Sequence, residues 1–320
     1  LDEAQTLFDM RGKVNVIETT LMKGLKLHPD QALHTRFTFD GLEDALNKGW
    51  GNFQIDGYGT WLWGLSEHVR QTGEYSLLQE LGASIRTTLR FLQLTWKLPN
   101  YDCWEEFPEF MHTYSLSCVY GGLHSIQQFI NEGKFAQAGV DVASLAEEVR
   151  SFILRYGIVN GVAVKSIQPP AEGSPAKAII ESGLDASLMG LDFPNQVLKK
   201  GDPILEATFT GIEEQLLHRE GGVYRYLGDV YYGGGEWLLL TAWLGLHFVE
   251  SGQKEKALTL MNWIEAQADE DLNLPEQVND NLLFPEQYQP WLKKWGPVAK
   301  PLLWSHAMYI ILYKKLQENN

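Results

Sequence analysis

Cysteine is nearly missing from this chain: Cys103 and Cys118 are the only two in 320 residues. That excludes the disulfide framework that staples small secreted domains, and the pair reads as buried free thiols more readily than as a bridge. Basic residues are also scarce, 26 Lys and Arg against 41 Asp and Glu, leaving a formal net charge of −15. A field of that sign repels phosphate backbones and anionic membrane surfaces, so neither nucleic acid nor membrane is an expected partner. Apolar stretches such as Trp237 to Val249 are interrupted and shorter than the roughly 20 residues that span a bilayer. No spacing of ligating side chains points to a metal, and no cofactor is expected. No export signal opens the sequence, which begins at Leu1. A soluble protein is expected, the cytoplasm slightly ahead of secretion, with upstream processing or trimming left open.

What the chain does contain is helical periodicity. From Ser76 to Trp96 the residues Leu77, Leu78, Leu81, Ile85, Leu89, Leu92 and Trp96 recur at steps near four, one buried stripe on a helix. Residues 58–71 and 235–251 are instead apolar on nearly all sides, as helices surrounded by protein are. The two kinds alternate: inner 58–71, outer 76–96, inner 111–131, outer 134–155, outer 203–218, inner 235–251, outer 254–268, inner 301–317, with a weaker inner helix near 184–192. Strand-like alternation is rare, the best candidate being a short hairpin over 157–167 with Asn160-Gly161 at its turn. The expected class is all-α: a single domain over 1–320, a ring of helical hairpins. Gly, Trp, Tyr and carboxylates concentrate just ahead of the inner helices, at 49–59, 101–109, 181–185, 224–235 and 274–304. In such a ring these entries converge on one mouth, where helix N-termini offer unpaired N–H groups to ligand oxygens.

Two carboxyl groups suffice to hydrolyse a glycosidic bond, one protonating the leaving oxygen and one activating water or attacking directly. Trp104-Glu105-Glu106 sets two acids beside an indole, which can keep one protonated and give a sugar ring a face to stack on. Pro275-Glu276-Gln277 and Pro285-Glu286-Gln287 supply two possible partners. Each has a plainer reading, since acids favour helix beginnings and Pro-Glu-Gln is ordinarily a loop.

Four segments in order, YDCWEEFPEFMHTYS, GGVYRYLGDVYYGGGEWLLLTA, LNLPEQV and KPLLWSHAMYIIL, resemble the signature blocks of glycoside hydrolase family 15, over about Arg36 to Tyr313. The resemblance implies an (α/α)6 barrel and an exo-acting, inverting hydrolysis that releases glucose from α-1,4- or α-1,6-linked glucosides, with an oligosaccharide or small α-glucoside as partner. It implies Glu105 as general acid, Glu106 as a neighbour contacting sugar hydroxyls, Glu276 as general base, and Asp56 and Arg225 as ligands of the terminal sugar. Trp104 and Trp237 join the candidate substrate-binding residues, although Trp237, like Trp61 and Trp63, reads as a core residue more readily than as a subsite wall. Inversion implies carboxyl groups about 6.5–9.5 Å apart, with room for water. From local sequence alone Asp56 also reads as a turn residue before Gly57, and Arg225 as an ion-pair partner of Asp229; the resemblance favours the site for both. His306 reads as a hydrogen-bonded packing residue.

The chain also departs from the family. An upstream inner helix preceded by an Arg-Asp pair is not found, and 1–27 reads as the outer helix that would follow it, so the first hairpin is expected to be missing from this chain. Gly228 stands where many relatives carry a glutamate. Of the two Pro-Glu-Gln segments Glu276 is favoured as base, with 279–295 as a rim loop offering Trp291 or Trp295 to a second sugar and Glu286 as a rim acid. The competing function is a non-catalytic, carbohydrate-sensing or scaffold domain of the same fold, as in the large subunits of phosphorylase kinase.

Overall fold

The computed structural model describes residues 3–28, 31–38, 52–136, 138–171 and 173–318, with side chains from residue 9 onward. Residues 49–51 of the first carboxylate-rich segment lie outside the described residues. The chain folds as two compact units that interleave in sequence, Leu1–Ser182 with Gly190–Asp202, and Gly183–Met189 with Pro203–Asn320. Among the described residues no helix is long and apolar enough to cross a membrane.

In the first unit, α1 (Glu3–Met22) packs on α4 (Gly82–Thr95), and an Arg90–Glu18 ion pair ties them. The stripe read over 76–96 is a one-turn α3 (Leu77–Glu80) followed by α4, which buries Ile85, Leu89 and Leu92 completely. Each such side chain contributes about 1.5–3 kcal/mol of transfer free energy. The two inner helices are α2 (Asp56–Thr72) and α5 (Thr113–Asn131). They lie so close that a Cβ on Gly59 would collide with the Cys118 carbonyl, and one on Gly122 with the Gly59 carbonyl. Near their far ends Arg70 donates to the carbonyl of Ser125 and to Gln128. Contacts that advance together in both helices make them parallel, so the entry of α2 and the loop feeding α5 share one end. Outer helix α6 (Val142–Tyr156) starts later than the expected residue 134. Gly133 and Gly139 take positive φ there, and Asp141 caps the helix by accepting from the Ser144 N–H at 3.0 Å, a cap worth about 1 kcal/mol.

The expected hairpin forms: β2 (Ile158–Val159) pairs with β3 (Val162–Ala163) across Asn160 and Gly161, both at positive φ as a tight primed turn requires. A three-stranded sheet that the sequence reading did not anticipate joins β1 (Met111–His112), β4 (Ser166–Gln168) and β5 (Lys177–Ile179), with β4 in the middle and His112 opposite Ser166.

The second unit contains α7 (Pro203–Leu216), inner α8 (Leu238–Glu250), outer α9 (Lys254–Ala266) and α11 (Leu303–Glu318). A small antiparallel sheet of β6 (Val223–Tyr224), β7 (Glu236–Trp237) and β8 (Gln277–Val278) sits at the start of α8. Two expectations need correction. The weak inner helix near 184–192 is a single six-residue 3-10 helix, Ala186–Leu191. The rim loop over 279–295 is helical in its second half, α10 (Pro285–Trp295), with Pro285 in its first turn where a missing N–H costs nothing.

Candidate active site

Within the first unit the site is organised by the loop between α4 and β1. Asp102, nearly buried, accepts at Oδ1 from the N–H groups of Trp104 at 2.9 Å and Glu106 at 2.8 Å. The Glu105 N–H donates to the Asp102 carbonyl, and the Asp102 N–H to that of Glu106. The backbone around Glu105 is thus bonded on all sides and held at φ 64, the left-handed region where a residue with a Cβ is strained. Lys165 stands 3.2 Å from Asp102 Oδ2, the two side chains 5% and 4% exposed. His112 is buried beside them, its Nε2 3.0 Å from the Phe107 carbonyl, and burial depresses its pKa.

The Glu105 carboxylate emerges from this loop into a cavity of about 580 Å³, walled among others by Gln54, Tyr58, Trp61 and Phe37. Arg36 grips it with Nε and Nη2, at 3.1 and 2.8 Å from the same oxygen. Trp61 borders the cavity and is 38% exposed, so the core placement suggested for it gives way to a wall position; Trp63 packs edge-on against Phe193. Trp104 is buried and Glu106 half-buried on the same loop.

Asp56 is the first residue of α2, its Oδ1 fully buried and without a hydrogen-bond partner among the described residues. Burial pushes its carboxyl from 3.8 up to about 7, against the pull of its backbone and Gln54 hydrogen bonds. Tyr114 and Cys118 of α5 feel the same surroundings: burial lifts the tyrosine pKa and moves the Cys118 thiol to about 12, with the Asp56 charge adding to both. Cys103 and Cys118 are both free thiols.

The second unit holds the other candidates around the start of α8. Arg225 pairs through Nε and Nη2 with Asp229, the two side chains 2% and 0% exposed, and lies about 5 Å from the ring centres of Tyr231 and Trp237. The ion pair weighed for Arg225 therefore exists. Trp237 is buried on β7, opposite Gln277. Glu276 directly precedes β8, its N–H donating to the Ala299 carbonyl. Its carboxylate shares a hydrogen bond with the Tyr231 hydroxyl, whose pKa is driven well above normal by burial and by that charge. The preceding segment is tied to α11: His306 Nε2 accepts from the Leu274 N–H and Ser305 donates to the Pro275 carbonyl, so His306 is the packing residue expected. Glu286 instead lies exposed in the first turn of α10. Trp291 packs edge-on against Tyr231 at 4.9 Å.

Sequence reasoning passed over Asp102, Lys165, His112, Arg36 and Tyr231. It also passed over Glu236, a buried acid raised in pKa by burial that sits 3.1 Å from His218. Only Asp102 carried a local signal, an aspartate two residues ahead of a loop N–H.

The model of the glycosyl hydrolases family 15 matches residues 11–314. An isomaltose glucohydrolase of Kribbella flavida is 36% identical over 308 residues, 96% of this chain and 75% of that protein. A wild-type glycosidase structure superposes with a TM-score of 0.84 at 35% identity, covering 98% of this chain and 80% of that one. A glycosidase variant solved in complex with glucose matches equally well at 34%. A bacterial glucoamylase complexed with acarbose, at 19% identity and a TM-score of 0.63 over 85% of this chain and 42% of that one, carries the fold alone. The fold class is the all-α one that the alternating helices predict, and its (α/α)6 form is the one that the family resemblance implies.

Proposed function

The chain belongs to glycosyl hydrolases family 15, and from that premise we propose an exo-acting, inverting hydrolase that releases glucose from the non-reducing end of α-linked gluco-oligosaccharides, isomaltose-type α-1,6 linkages first and α-1,4 second. It is a glycoside hydrolase; the linkage, the stereochemistry and the residue roles are our reading. The observation that carries it is Glu105: a carboxylate facing a sugar-sized cavity from a backbone conformation that only a dense set of hydrogen bonds maintains.

In this reading Glu105 protonates the glycosidic oxygen as the bond to the anomeric carbon breaks. Glu276 takes a proton from the water that attacks the opposite face, leaving β-glucose and the shortened sugar. Arg36 pairs with the deprotonated form of Glu105, whereas the acid step needs the protonated form, so this pair opens before proton transfer. Tyr231, donating to the Glu276 carboxylate, orients the base. Asp56, Trp104 and Glu106 are read as ligands of the terminal sugar from the motifs they stand in. Arg225, fixed by Asp229, is the cationic candidate for the terminal sugar, with Trp237 packed against it as support. Glu276 is preferred to Glu286 because it is half-buried, anchored at both ends and hydrogen-bonded, whereas Glu286 has the ordinary place of a first-turn acid.

The test is glucose release from maltose, isomaltose, dextran, starch and trehalose by the parent chain and its Glu105→Gln and Glu276→Ala variants. We expect hydrolysis of isomaltose and a loss of about 10²–10⁴-fold on removing the acid. No release from any of the five by the parent would favour the non-catalytic scaffold function. Unaltered turnover by Glu105→Gln would remove the residue assignment while leaving the activity.

A further inference from the structure

We propose that Lys165 is a positioning residue for the acid step, acting through Asp102 on the backbone of Glu105. This rests on the reading of Glu105 as general acid. Lys165 and Asp102 form a buried ion pair, and neither borders the cavity, so neither is placed to touch a sugar. Their function has to be sought in what they hold. Asp102 accepts from the N–H groups on both sides of Glu105 with one oxygen, and its other oxygen faces the ammonium group of Lys165. A carboxylate at that depth without a countercharge would shed its charge or draw in water, and in either state it binds backbone N–H groups less firmly.

The positions of Lys165 and of the loop are set by one and the same piece of sheet. The Lys165 carbonyl accepts from the Thr113 N–H at 3.0 Å, and the next residue, Ser166, pairs with His112 in the β1–β4 ladder. His112 in turn reaches the carbonyl of Phe107, which has φ 52, while the Lys165 ammonium lies 5.0 Å from the centre of the Phe107 ring. Two non-glycine residues at positive φ, Glu105 and Phe107, are therefore bracketed from one side by a charge that the β3–β4 connection delivers. A buried ion pair is commonly replaceable by apolar side chains without loss of stability, so its presence here fits the selection of one loop conformation.

The prediction separates positioning from mere structure through the leaving group. Lys165→Met lets the loop relax and shifts the Glu105 carboxyl, and a displacement near 1 Å costs on the order of 100-fold in rate. We expect kcat on isomaltose to fall roughly 10- to 100-fold with KM within about threefold. On α-glucosyl fluoride, which departs with little protonation, kcat should fall less than about threefold. Lys165→Arg should keep most of the isomaltose activity. Should Lys165→Met alone fail to fold, Asp102→Asn combined with Lys165→Met removes both charges and retains the oxygen acceptor, and the two-substrate ratio is read in that protein. Equal losses on both substrates, or an undiminished kcat on isomaltose, would overturn the proposal. Glu105→Gln is run in parallel: if it shows no preference between the two substrates, the acid assignment fails rather than the role of Lys165.

Discussion

Replacing Asp56 by Asn tests whether the start of α2 carries a group whose ionisation opposes folding. The native carboxyl titrates near 7 against 3.8 when unperturbed, because burial disfavours the charged form. Below about pH 4 both folded and unfolded chains are protonated and the shift has no effect. Between about 4 and 7 the unfolded chain releases its proton while the folded one keeps it, so native stability falls as pH rises. Above about 7 both are ionised and the deficit is constant. A rise of roughly three units, at about 1.4 kcal/mol each, sets a ceiling near 4 kcal/mol, reduced by the water that reaches the half-exposed remainder of the residue. Asn is nearly isosteric and never ionises. Urea unfolding of parent and Asp56→Asn at about pH 5, 6.5 and 8 should show the variant gaining on the parent with each step, by a few kcal/mol in all. The other titrations cancel in the difference. A difference independent of pH would refute a buried, proton-holding Asp56. On the proposed role of Asp56 as a sugar ligand, activity should move the opposite way, because a carboxylate accepts from hydroxyls more strongly than a carboxylic acid: the parent's KM should fall as pH rises through about 7, and that of Asp56→Asn should be high and flat.

Glu276→Ala should be nearly inactive and partly restored by azide, whereas Glu286→Ala should keep parental turnover; the reverse pattern, read in the same glucose assay, would exchange their roles. NMR of the first-formed product from isomaltose should show β-glucose ahead of its mutarotation, and α-glucose first would indicate retention. Arg225→Ala strands a buried Asp229 and should cost about 3–5 kcal/mol in urea unfolding as well as activity. Arg225→Lys with unchanged stability and kcat/KM would show that the two-point pairing is dispensable.

Helices with a clear stripe or a wholly apolar face were legible in the sequence: α8 and α9 fall within a few residues of their periodicity, and the stripe over 76–96 is shared between the one-turn α3 and α4. Where a local interaction decides, periodicity misleads. Asp141 starts α6 eight residues after the apolar pattern begins. The 184–192 segment is largely apolar and buried, yet with Gly190 inside it and Pro194 just beyond, it closes only the 3-10 helix Ala186–Leu191. Pro290 inside α10 speaks against a helix in any sequence reading, since it removes an N–H that the helix would use. At the site, residues standing in contiguous motifs, Trp104 to Glu106, Arg225 and Glu276, could be named. Those acting from a distance could not. Lys165 has no local reason to be buried until the sheet sets it against Asp102, Arg36 lies in an unremarkable stretch, and Tyr231 acquires its meaning only from the carboxylate it meets.

The contact between Gly59 and Gly122 has a consequence for how substrate range can change. With no side chain between them at that point, α2 and α5 are pinned at one height, and a single added methyl group would act as a wedge. Asp56 and the loop bearing Glu105, at the ends of these two helices, thus behave as two marks on one ruler. A longer or differently linked sugar cannot be accommodated by sliding one helix along the other. Adaptation is confined to the parts not under this constraint, the side chains lining the cavity and the connections between helices.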